Sequence, residues 1–215
     1  MIIKNIIWDW NGTIVDDSWV FVDVMNDLLK KKGLPKTTLA HYRKNFCFPI
    51  ENYWRGLGFV FTKKEFNFLN ASFIEEYQKK MFLPSLHSGL IALFKKANSY
   101  NVSQFILSAS EHSLLKRSIQ HYKLNDLFKA VYGVDNLNAE GKELLGLSLL
   151  RQHQLVASET ILIGDTEYDY RVAKELGCRA VLISHGHIDH KRLLGCGVPV
   201  VSSVAALAHY LNFNQ

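Results

Sequence analysis

Three observations predict an α/β fold: a mostly parallel sheet with helices on both faces, and an all-helical insertion after its first strand. From Pro84 onward, short apolar runs alternate with helical patterns, and strands alternating with helices imply parallel pairing with helices packed on the sheet. One apolar strand precedes this series at the N-terminal end and breaks off at Asp9 and Gly12. Between the two, residues 18–84 carry apolar residues at helical spacing and no strand-turn-strand pattern.

In the first strand the run Ile2, Ile3, Ile6 and Ile7 delivers Asp9 to a turn at Gly12. Trp19, Val22, Met25, Leu28 and Leu29 then fall at helical spacing, with Asp16 or Asp17 as N-cap and Gly33 just past the end. Pro35 and Thr37 open a short helix through Tyr42 to Phe46, which Pro49 interrupts. Thr62-Lys63-Lys64-Glu65 has the form of a capping box and starts a longer helix carrying Phe66, Leu69, Phe73 and Tyr77 on one side. Fourteen of the twenty-six aromatics lie between residues 18 and 84. Aromatics at helical spacing are packing residues first, so they read as the core of a small bundle.

The alternating series begins with a helix through Leu86, Leu90, Leu93 and Phe94 and a strand at Val102–Leu107 that ends in Ser108-Ala109-Ser110. A helix from Glu111 to about His121, a short strand near Lys129–Tyr132 and a helix at about Glu140–Gln152 follow. Next come the apolar strand Thr160–Gly164 ending at Asp165, a helix at Tyr168–Leu176, a strand at Arg179–Ile183, a short helix near Lys191, a strand at Val198–Val201 and a last helix.

An apolar share of 48% and a charged share of 21% are those of a globular protein. No apolar run has the length of a membrane span, and Lys4, Asn5 and Asp9 interrupt what would be a secretory signal. Three cysteines without Cys-x-x-Cys spacing suggest neither a disulfide framework nor a zinc knuckle, and a reducing, cytoplasmic setting is expected. The net charge of +5 is unevenly placed: residues 18–84 hold eleven Lys/Arg against six Asp/Glu, and the remainder fourteen against fourteen. A solvated basic face is the plain reading, and a surface attracting an anion the functional one.

Three strands end in polar residues, Asp9, Ser108 and Asp165. If they are neighbours in a parallel sheet, all three gather at one edge, where open α/β sheets bind ligands. Asp165 and Asp169 are four apart across a loop and a first helical turn and can face one point. With Asp9 they crowd three negative charges together, which a cation must neutralise, and an all-oxygen set suits Mg²⁺. His185-Gly186-His187-Ile188-Asp189-His190 also has the look of a metal tract, but it follows a strand and reads as a loop.

Asp9-Trp10-Asn11-Gly12-Thr13, then Ser108, Lys142 and Gly164-Asp165-Thr166-Glu167-Tyr168-Asp169 stand in that order. The chain thereby resembles the haloacid dehalogenase-like hydrolases, in particular members similar to phosphoglycolate phosphatase and β-phosphoglucomutase. The resemblance implies a Rossmann-like core of residues 1–17 and 85–215 with a helical cap of residues 18–84. It implies a Mg²⁺-dependent phosphatase in which Asp9 forms an aspartyl phosphate, while Ser108 and Lys142 hold phosphoryl oxygens. Mg²⁺ would be held by Asp9, the Asn11 carbonyl, Asp165 and Asp169; Thr13 would orient Asp9. Lys142 by itself reads as an exposed lysine at a helix start, and only the other elements give it this role.

One residue departs from the pattern. Asn11 stands where the family has a second aspartate, the acid for the leaving alcohol and then the base for water, and an amide can do neither. Such assistance is worth ~10²–10⁴-fold in rate. A slowed phosphatase, a phospho-ligand-binding or regulatory member, and a haloacid dehalogenase all share this outline; the paired carboxylates Asp165 and Asp169 speak against the last. Arg43, Lys44 and Arg55 are candidates to meet a second anionic group on the substrate. A closing cap fits a small phosphorylated metabolite better than a nucleic acid, and nothing points to a membrane partner.

Overall fold

The computed structural model describes residues 3–213; Ile2 of the opening apolar run lies outside the described residues. The strands are β1 (Asn5–Trp8), β2 (Ser103–Glu111), β3 (Ala130–Val134), β4 (Thr160–Gly164), β5 (Arg179–Ile183) and β6 (Val200–Val201). They form one sheet in the order β3-β2-β1-β4-β5-β6, and every neighbouring pair is parallel. The helices are α1 (Ser18–Lys31), α2 (Leu39–Asn45), α3 (Ile50–Gly56), α4 (Lys63–Lys80), α5 (Leu90–Ser99), α6 (His112–His121), α7 (Lys142–Gln152), α8 (Glu167–Glu175), α9 (His190–Leu194) and α10 (Val204–Leu211).

β1 and β4 are buried along their whole length, which is why they read as near-continuous apolar runs. Because side chains alternate along a strand, Ile6, Trp8, Ile161 and Ile163 pack with α5, α6 and α10 on one face. Ile7, Phe105, Leu107 and Leu162 pack with α7 and α8 on the other. A separate cluster joins α1–α4 through Val20, Met25, Leu29, Trp54, Phe66 and Phe73, and reaches Leu182, Ile188 and Leu193 near the sheet. Thr62 and Glu65 form the capping box that opens α4.

Local readings are corrected at four places. Trp19 is 41% exposed, and the buried face of α1 is formed by Val20, Val24, Met25, Leu28 and Leu29. An apolar residue on every side of a helix leaves its inward face ambiguous in sequence. Pro49 starts a helix as well as interrupting one: it is the N-cap of α3, with φ −62°, and proline is tolerated at a helix start because no intrahelical N–H is needed there. Leu86 lies ahead of α5, in a β-bridge with Val15. Asp17 occupies the N-cap position of α1 without capping it through its side chain. Among the described residues no helix is long and apolar enough to cross a membrane, and all three cysteines are free.

One buried polar residue ties the layers together. Gln104 accepts from Trp8 Nε1 at 3.0 Å and donates to the Phe94 carbonyl at 2.9 Å and to Asn98 Oδ1 at 2.8 Å. Gln104→Leu strands the buried Trp8 Nε1 donor and is expected to cost about 1–3 kcal/mol of stability, measured by urea unfolding. A variant as stable as the parent would show that water reaches it.

Candidate active site

Parallel register builds the site. Trp8 pairs with Ile106 of β2 and with Ile163 of β4, so the residues that follow, Asp9, Ser108 and Asp165, emerge at the same carboxyl edge of the sheet. Ligand oxygens of Asp9, Asp165 and Asp169 lie within 4.8 Å of one another, and all three residues are buried. Lys142, the first residue of α7, is 2% exposed and donates from Nζ to Asp9 Oδ1 at 2.6 Å and to Asp169 Oδ1 at 2.5 Å. The Thr13 hydroxyl lies 2.8 Å from Asp165 Oδ1 and 3.2 Å from Asp9 Oδ2; its single proton serves one of them at a time. Asp169 also closes the capping box of α8, accepting from the Thr166 N–H and hydroxyl.

Gly12 makes this crowding feasible. Its φ of +74° suits glycine, and a Cβ there would lie 2.3 Å from Asp165 Oδ2 and from His187 Cδ2.

One ammonium faces three carboxylates. Burial, and after it the charge of Asp169, pushes the Asp9 carboxyl up from 3.8 to about 8 against the pull of Lys142. Burial likewise raises Asp165 to about 6, opposed by His187. Burial works to lower the Lys142 pKa, but Asp169 and Asp9 outweigh it and hold the ammonium charged. Both carboxyls are raised, so between pH 4 and 8 these two groups bind more protons in the folded protein than in the unfolded chain, and their contribution to stability falls as pH rises through that window. An excess of buried negative charge on oxygen donors fits a divalent cation such as Mg²⁺. Asp9 and Asp165 each accept two hydrogen bonds and Asp169 three, so the first two keep more lone pairs for it.

Asn11 is held by every polar atom of its side chain. Its Nδ2 donates to Asp17 Oδ2 and, at 2.8 Å, to the Tyr77 hydroxyl; its Oδ1 accepts from Ser110 Oγ at 2.5 Å. Asp17 is wholly buried and accepts four hydrogen bonds, from Asn11, Gly12 N, Tyr77 and His187 Nε2. His187 completes the network, with Nδ1 2.6 Å from the Tyr42 hydroxyl and its backbone N–H on Asp165 Oδ2 at 2.6 Å. Burial works to lower its pKa, but the hydrogen bond and charge of Asp17 raise it on balance. Burial and nearby negative charge keep the phenols of Tyr42 and Tyr77 well above their ordinary range, so they act as hydroxyls.

Sequence reading missed this second layer. Asp17 reads as a helix cap, Tyr42 and Tyr77 as packing aromatics, His187 as loop. No local signal separated Asp17 from an ordinary helix cap.

Residues outside this network lie as follows. Ser108 is buried in the cavity wall, its Oγ accepting from Ser110 N at 3.0 Å. Arg43 is tied to Ser18 Oγ and the His185 carbonyl. Lys44 is exposed, and Arg55 lies over the Phe61 ring on the outer surface. None of these three lines the cavity above Asp9. Glu111 caps α6, and His112 Nδ1 accepts from Gly133 N. His185 stacks on His87, each donating from Nε2 to a carbonyl of the Asp9 turn. Among the described residues, Asp9, Asp165 and Asp169 are the only group of three or more with metal-ligand spacing.

The family model for haloacid dehalogenase-like hydrolases matches residues 6–183. A phosphoglycolate phosphatase of Rhodobacter capsulatus is 24% identical over 193 residues, covering 85% of this chain and 84% of its own. Among solved structures, a haloacid dehalogenase-like family protein of Streptococcus pneumoniae superposes with a TM-score of 0.82 at 22% identity, over 97% of this chain and 98% of its own. A predicted phosphatase of Clostridium acetobutylicum gives 0.84 at 18% identity, over 98% and 99%. At such identities the structural likeness speaks to the fold.

Lys142→Met removes the cation from two buried carboxylates, and breaking a buried pair this way costs about 3–5 kcal/mol. Urea unfolding without added metal should show that loss at pH 8 and a smaller one at pH 5, where Asp9 and Asp165 take up protons. Equal losses at both pH values would contradict the charge account.

Proposed function

This chain belongs to the haloacid dehalogenase-like hydrolases, and we propose that it is a Mg²⁺-dependent phosphatase that hydrolyses a small phosphomonoester through an aspartyl phosphate on Asp9. The observation that carries this reading is the buried Lys142 bridging Asp9 and Asp169 beside Asp165. Lys142 favours the Asp9 anion and fixes one of its oxygens. An Asp9 oxygen attacks phosphorus as the bond to the alcohol oxygen breaks. Water then attacks the phosphorus of the acyl phosphate, which releases inorganic phosphate and restores the carboxylate. Ser108 and Lys142 take the non-bridging oxygens and stabilise the charge that develops there. Thr13 keeps Asp9 oriented.

Mg²⁺ would be held by Asp9, Asp165 and the backbone carbonyl of Asn11, with Asp169 as ligand or as the hydrogen-bonded support behind them. When bound it offsets the repulsion between carboxylate and phosphate. Residues 18–84 act as a cap over the strand ends; a cavity lined both by that segment and by Asp9, Ser108 and Lys142 supports this division. A cavity between two such layers suits a small metabolite, not a polymer. The three free cysteines support a reducing compartment.

Asn11 leaves the leaving alcohol without a neighbouring acid, and its proton comes from water. The amide also favours a second reading, a phospho-ligand-binding regulatory member with slow turnover, because Asn11 is fully committed to Asp17, Tyr77 and Ser110. A carboxylate at position 11 would face Asp17 without a proton between them. Asn11→Asp alone is therefore expected to gain little, and Asn11→Asp with Asp17→Asn, which restores a donor opposite the acid, to gain roughly 10²-fold or more in Mg²⁺-dependent phosphate release. If the double variant is no faster than the parent, the account of the missing acid fails. Turnover that survives in Asp9→Asn would remove Asp9 as nucleophile.

A further inference from the structure

The cavity above Asp9 has a volume of about 140 Å³, and its upper walls are apolar: Phe21, Phe46, Trp54, Phe73, Ile74 and Met81. The basic excess of the same segment turns outward. Among the described residues no arginine lines the cavity, and its basic side chains are Lys142 and His187. Lys142 is engaged by Asp9 and Asp169, and His187 by Asp17 and Tyr42. The side-chain amides at its edge are engaged as well, Asn70 with the Leu137 carbonyl and Asn136 with the Glu140 carbonyl. A carboxylate or second phosphate on the alcohol half of a substrate would be desolvated here with no charge to meet it, which is strongly unfavourable. An apolar group would gain by burial. An engineered apolar cavity of about 150 Å³ accepts benzene, so a volume of this size suits a group of about one ring.

We propose that the substrate is a phosphomonoester whose alcohol moiety is uncharged and apolar, an aryl or short alkyl group, held by the aromatic wall of residues 18–84. The proposal rests on the phosphatase reading of the site. It takes specificity from the absence of any available cation in that wall and from the shape of Trp54, Phe73 and Met81. Arg43, Lys44 and Arg55 are bystanders to it.

Calorimetric titrations in Mg²⁺ with three probes test this: inorganic phosphate, benzylphosphonate, and 3-phosphonopropionate, which carries a carboxylate where benzylphosphonate has a ring. Benzylphosphonate is expected to bind at least about tenfold tighter than 3-phosphonopropionate, the effect of burying one ring. Equal affinities or the reverse order would overturn the proposal, as would binding of phosphate alone. Failure of all three to bind removes the phosphate site itself, and the proposal with it. Benzylphosphonate binding without hydrolysis of benzyl phosphate would sustain the specificity and sink the catalytic reading. Ile74→Lys, at a half-buried wall position, is expected to shift the ratio at least about tenfold toward the carboxylate probe; an unchanged ratio would mean that the wall does not contact the alcohol moiety.

Discussion

A single ammonium group holds the reactive edge of this protein in shape. Lys142 Nζ sits between Asp9 and Asp169, one from the first strand and one from a helix 160 residues later in the chain. Its own place depends on close packing of α7. A Cβ on Gly146, one turn further along, would lie 2.8 Å from Leu176 Cδ1 and 3.1 Å from Leu107 Cδ2. Glycine inside a helix is unfavourable by roughly 1 kcal/mol relative to alanine, and here it lets α7 approach α8 and β2 closely enough to deliver the lysine. The carboxylates remain in excess of the ammonium; burial first, and the neighbouring Asp169 charge after it, raise the pKa values of Asp9 and Asp165.

Around this centre lies a network whose parts match one another. Asp17 accepts four hydrogen bonds, and Asn11 supplies one of them through a donor that an aspartate lacks. The amide at position 11 and the carboxylate at position 17 are complementary donor and acceptor. His187 links the network to Asp165 through its backbone and to Tyr42 through its ring. Position 11 thus holds an amide whose donors and acceptor all have partners.

The helices between residues 18 and 80 do two things with their composition. Their aromatics fill an interior cluster and the wall of the cavity. Their lysines and arginines face solvent or bond to backbone, as Arg43 and Arg55 do. A count of charge along the chain registers the second and suggests an anion-binding cap, whereas the surface actually presented to the Asp9 edge is apolar. Charge placement along a sequence and charge placement around a cavity differ because a helix has two sides.

How much was legible in advance follows from the range of each interaction. The order of strands and helices from residue 84 onward, the polar strand ends at Asp9, Ser108 and Asp165, and the four-residue spacing of Asp165 and Asp169 are local patterns, so the sequence by itself determined the fold class and the acidic edge. The motif order added Lys142, which no local pattern marks. Only the tertiary structure decided that Tyr77 and His187 converge on Asp17 beside Asn11 and that Arg43, Lys44 and Arg55 stand away from the cavity. Those contacts join groups 60 to 170 residues apart, and neither periodicity nor composition records a pairing over that distance.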